Sequence, residues 1–146
     1  MATAGILTRR SDGAWELRIE CRIPSGDIPP GDVVRVFLGS ARQPRAVLQL
    51  EPRGFLYDEL EPVAEDESPS RTPLVVRRQN DRWACSIVVP DSAIEPGMLL
   101  RIGIERRTGS GERLTWPRPV LPEQDQPGRA LIDLGAWFGF RGAPAR

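Results

Sequence analysis

The sequence predicts an all-β protein, two antiparallel sheets packed face to face with about eight or more strands, in a jelly-roll or immunoglobulin-like sandwich. Three observations carry this. Apolar residues alternate with polar ones at a period of two in several short runs. Fifteen prolines and fourteen glycines cluster at the ends of those runs, where turns belong. No amphipathic helical pattern extends beyond about two turns.

The clearest pair of runs lies between Arg82 and Arg107. Trp83, Cys85, Ile87 and Val89 share one face of a strand, which Pro90 closes because proline has no N–H for a ladder. Asp91-Ser92 and Pro96-Gly97 supply turn chemistry. Leu100, Ile102 and Ile104 then form the next buried face.

Taken in order, residues 1–12 read as an N-terminal arm or edge strand around Ile6-Leu7. Trp15, Leu17, Ile19, Cys21 and Ile23 alternate with Glu16, Arg18, Glu20 and Arg22, the pattern of a half-buried strand over 15–23. Val33–Leu38 and Arg45–Leu50 are close enough for a hairpin across 39–44. Phe55-Leu56-Tyr57 is a short apolar piece. Residues 58–73 read as an exposed acidic loop whose spacing fits no dedicated calcium motif.

Leu74–Arg78 pairs with 82–89 across Gln79-Asn80-Asp81. After the strand over 99–106, Arg113–Trp116 is a short strand ended by Pro117. Residues 117–129 hold four prolines and cannot be a central strand. Ala130–Leu134 is the last strand, and 135–146 a glycine-rich tail. The whole reads as one domain over 1–146. Trp83, Leu17, Ile19, Ile87, Ile102 and Ile104 are the expected core.

Twenty basic residues balance twenty acidic ones, which argues against nucleic acid or an anionic membrane as a partner. Every basic residue is an arginine, and there is no histidine. That removes the usual general base and the usual zinc and haem ligand, and with them any Ser-His-Asp or Cys-His pairing within the chain. Cys21 and Cys85 sit on apolar phases and read as two small buried thiols; a disulfide requires the two strands to lie at bridging distance. No run approaches the length of a membrane span, and residues 1–13 lack the apolar core of a signal peptide, so the chain as written reads as cytoplasmic.

The run Trp83…Val89-Pro90…Ser92-Ala93-Ile94…Pro96-Gly97…Leu100-Arg101-Ile102-Gly103-Ile104-Glu105-Arg106, followed by Thr115-Trp116-Pro117 and then Gly128 to Leu134, resembles the C-terminal half of the family 9 carbohydrate-binding modules and their DOMON-like relatives. Upstream, Asp32–Leu38 resembles that family's D-x-V-x-V-x-L strand, and Gly54–Asp58 its G-x-x-Y-D segment. The likeness covers roughly residues 13–135. It implies a β-sandwich that binds a glycan without catalysis, in relatives that work outside the cell. Haem, bound in some relatives through methionine, lysine or histidine, is not expected here, because Met1 and Met98 are the only such residues. No cofactor or metal is expected.

The candidate ligand residues are Trp116, Arg106, Tyr57 and Trp137. The indole of Trp116 either stacks on the C–H face of a sugar or caps the edge of the core. Arg106 stands on the apolar phase of its strand. It either reaches a rim to hydrogen-bond a ligand or pairs with a buried carboxylate. Tyr57 is a loop contact or a core-edge tyrosine, and Trp137 a tail anchor or an exposed stacking residue. Two functional classes follow: a non-catalytic carbohydrate-binding module, or a protein-interaction β-sandwich without a sugar site.

Overall fold

A computed structural model describes residues 2–24, 26–68, 70–118 and 125–136. Its strands are β1 (Thr3–Arg9), β2 (Trp15–Arg22), β3 (Val33–Gly39), β4 (Pro44–Glu51), β5 (Phe55–Asp58), β6 (Thr72–Pro73), β7 (Val76–Gln79), β8 (Arg82–Val88), β9 (Ile94–Glu95), β10 (Leu99–Arg107), β11 (Arg113–Trp116) and β12 (Ala130–Asp133). The smaller sheet runs β1-β2-β8-β7 and the larger β11-β10-β3-β4-β5-β6, with β9 and β12 also on β10. Every pairing is antiparallel. The expected β-sandwich is therefore present, with extra short strands at 55–58, 72–73 and 94–95 where runs of two to four residues carry too little periodicity to be read. The chain passes from the small sheet to the large one through Pro90 and a 3₁₀ turn at Asp91–Ala93.

The core lies where the two alternating faces meet. Trp15, Leu17, Ile19 and Cys21 of β2 and Trp83, Cys85 and Ile87 of β8 face Val34, Val36 and Leu38 of β3, Leu48 and Leu50 of β4, and Leu100, Ile102 and Ile104 of β10. All six residues expected at the centre are buried.

The outer face of the large sheet is also covered. Gly103 of β10 has no side chain, so the backbone of Gly128 lies directly on it; a Cβ there would collide with the Gly128 carbonyl. The arriving segment brings Arg129 over Phe37, whose ring lies 4.7 Å from that guanidinium and 4.8 Å from that of Arg35. Beside it Glu105 is fully buried, its carboxylate held by Arg113 Nε at 2.6 Å, Arg107 Nη2 at 3.1 Å and Arg35 Nη1 at 3.2 Å. Arg35 also forks onto Glu59, through Nε at 2.7 Å and Nη2 at 2.5 Å. This network locks β10, β3 and β11 together, which fixes the strand that carries the candidate site.

Candidate functional site

The site begins with a mismatch in width. In β11, Trp116 lies opposite Ile104 and Leu114 opposite Arg106, so both share the core-facing phase of β10. Ile132 of β12, opposite Leu100, shares it too. Among the described residues the small sheet ends at β1, before it has covered them. The result is a cleft of about 620 Å³ between the two sheets, floored by Leu7, Leu17, Ile102 and Ile104 and walled by Leu114 and Trp116. Trp116 is 53% exposed there, a large value for a tryptophan on an inner face. Its peptide bond to Pro117 is cis.

Arg106 closes one end of the cleft, but its guanidinium is turned into the core, where the residue is 1% exposed. Nε and Nη2 form a fork onto the Asp32 carboxylate at 2.8 and 2.7 Å. Nη1 donates to the carbonyls of Arg22 at 2.9 Å and Ala2 at 3.1 Å. Trp83 Nε1 donates to the same carboxylate at 2.9 Å. Burial pulls the Arg106 pKa down, but the hydrogen bonds to Asp32 together with the charges of Cys21, Asp32 and Glu112 more than offset it, so the value lies above that of an ordinary arginine. Of the two roles open to Arg106, the structure shows pairing with a buried carboxylate. Four of its five N–H donors are engaged within the protein.

Asp32 is the partner that strand reading overlooks, since it precedes the apolar run in a Pro-Pro-Gly-Asp bend. A signal exists: it has the same even phase as Val34, Val36 and Leu38, all of which face the core.

Tyr57 is not brought to this site. It lies on β5, opposite Gln49 of β4 and four strands from β11, roughly 19 Å across at ~4.8 Å per strand. Asp58 beside it is structural: Oδ1 accepts from the backbone N–H groups of Val47 at 3.1 Å and Leu60 at 3.0 Å. Trp137 lies outside the described residues.

Cys21 and Cys85 are free and buried. Burial pushes both thiols up to about 12, well above the usual value of 9.0. At pH 8 a thiol reagent should leave the native protein unlabelled and modify both cysteines in denaturant. With folded values above unfolded ones, the stabilisation is complete below pH 9.0 and disappears as pH rises toward about 12. A Cys21→Val, Cys85→Val variant should therefore lose less stability across that window in urea titrations than the parent does; an equal loss would show that the thiols play no part in it.

No group of three or more potential metal ligands occurs among the described residues. Nor is any helix among them long and apolar enough to cross a membrane. No family model matches the chain, and comparison with curated proteins and with solved structures finds no match.

Proposed function

We propose that this domain is a non-catalytic binding module whose ligand lays an apolar face against Trp116 in the cleft between β1 and β11. The observation that supports it most is the half-exposed indole on an inner sheet face, above an open apolar floor. A tryptophan that merely capped the core would be covered there. The cleft volume of about 620 Å³ falls within the range of small-ligand sites. Arg106 is the single ionisable side chain among its lining residues, and its fork is taken. Recognition by packing thus fits better than acid–base chemistry.

The resemblance supplies the ligand class, a glycan whose C–H ring face stacks on the indole. With Arg106 occupied, polar contacts to its hydroxyls fall to backbone groups at the cleft edge. Stacking of this kind contributes about 1 kcal/mol beyond burial. Together with burial of one ring face it suits dissociation constants on the order of millimolar to micromolar.

Calorimetry against a panel of mono- and oligosaccharides, wild type beside Trp116→Ala, tests this. The substitution should weaken binding at least about tenfold, equivalent to ~1.4 kcal/mol. It should change urea stability by less than about 1 kcal/mol, because the ring is already half in water. Absence of binding to any saccharide at millimolar concentration would remove the sugar from the account. The second class, protein interaction, is favoured by a separate observation, the open edge of β1.

A further inference from the structure

We infer that the cleft also accepts an extended polypeptide strand, which adds to the free edge of β1 and covers the inner face of β11 and β12. This rests on the edge and on the overhang of the large sheet, not on sugar binding.

The hydrogen-bonding phase of β1 is fixed by its pairing with β2. Arg22 N–H donates to the Ala2 carbonyl at 2.8 Å, and the register places Thr3 opposite Cys21, Gly5 opposite Ile19 and Leu7 opposite Leu17. In an antiparallel ladder the bonded pairs alternate. Ala4, Ile6 and Thr8 therefore bond to β2, while the N–H and C=O groups of Thr3, Gly5 and Leu7 point to the open edge. Among the described residues no strand pairs with that edge. The residues whose backbone it presents, Thr3, Gly5 and Leu7, also line the cleft. An occupant thus meets backbone donors and acceptors on one side and an apolar wall of Leu114, Trp116 and Ile132 on another. A polypeptide strand carries both complements, a polar ladder and alternate apolar side chains.

The edge strands β7, β6 and β11, of two to four residues, each carry or adjoin charge or proline, whereas the seven-residue β1 is charged only at its last residue, Arg9. β7 carries Arg77 and Arg78, β6 carries Pro73, and β11 carries Arg113 and runs into Pro117. Residues 3–8, Thr-Ala-Gly-Ile-Leu-Thr, hold neither charge nor proline, the devices that keep an edge from pairing. From Ala2 to Leu7 the edge offers roughly 17 Å at ~3.4 Å per residue, enough for a strand of ordinary length.

A second copy of this chain, paired through its own β1, would leave the wall of Leu114, Trp116 and Ile132 uncovered. The inner face of that strand is already used: a Cβ on Gly5 would lie 3.1 Å from Ile104 Cδ1 and 3.7 Å from Leu17 Cδ1, and Leu7 is buried. The occupant is a segment of another polypeptide, neutral, extended, and free to turn apolar side chains onto Leu114 and Trp116.

The probe is an end-capped peptide of alternating valine and threonine, with a lysine at each end for solubility. Its control is the same peptide N-methylated at alternate residues, which cannot complete a ladder. In ¹⁵N-labelled protein the first peptide should shift the amides of Thr3, Gly5 and Leu7 together with the Trp116 indole, and slow exchange of those amides at least tenfold. The methylated peptide should do neither. Unmoved β1 amides at millimolar peptide would overturn the inference, as would equal effects from the two peptides. So would concentration-dependent dimerisation that protects the same amides without peptide. A saccharide cannot complete a ladder, so it should move Trp116 without the tenfold slowing of exchange across the Thr3, Gly5 and Leu7 amides, and each form of binding can fail without the other.

Discussion

Arg106→Ala should destabilise the domain by about 3–5 kcal/mol in urea unfolding, the range for breaking a buried ion pair from one side. The substitution strands the Asp32 carboxylate, itself 2% exposed, with Trp83 Nε1 as its remaining side-chain donor. It also frees the carbonyls of Arg22 and Ala2. Asp32→Ala should cost a similar amount, because a buried guanidinium then loses its counter-charge. The two are not independent. An Asp32→Leu, Arg106→Met double variant should be less damaged than the sum of the single changes, since no unpaired charge remains. Additive costs would mean that the pair is not coupled. A loss below about 1 kcal/mol for Arg106→Ala would mean that the guanidinium is hydrated and available to a ligand.

Trp83→Ala should cost a comparable 3–5 kcal/mol, here from the cavity left by a large aromatic in a close-packed interior. Trp83 is fully buried between β2 and β7 in the small sheet and faces the large one. Trp83→Phe separates packing from polarity. It keeps most of the ring and removes the N–H donated to Asp32, and it should cost about 1–2 kcal/mol. Similar losses for the two variants would point to the hydrogen bond, not the volume, as the larger contribution.

Strands were legible in this chain wherever alternation ran for five residues or more. Trp15–Ile23 and Trp83–Val89 announce both their extent and their buried face, and the structure returns nearly the same bounds. The phase of Arg106 was equally legible, and a charge on the apolar side demanded a partner. What the sequence could not show was which partner. Asp32 lies 74 positions away and meets Arg106 only because β3 and β10 pair in one register. Glu105 illustrates the opposite case. It occupies the outward phase, where water is the normal neighbour, and is buried by arginines from β3 and β11 and by the segment through Gly128. No local pattern encodes such cover. Trp116 was visible as a candidate from its residue type and its Thr-Trp-Pro setting. Its exposure depends on where the small sheet stops, a matter of strand count between sheets that no single run reveals.

The central claim is that Trp116, not the buried Arg106, receives the ligand. It is tested most directly by following the four tryptophan indole N–H resonances while saccharides are titrated to millimolar concentration. At least one saccharide should move the Trp116 resonance and leave that of Trp83 unmoved, and its calorimetric affinity should fall at least about tenfold in a Trp116→Ala protein that remains folded. A titration in which no saccharide moves Trp116, or an affinity unchanged in Trp116→Ala, would contradict it.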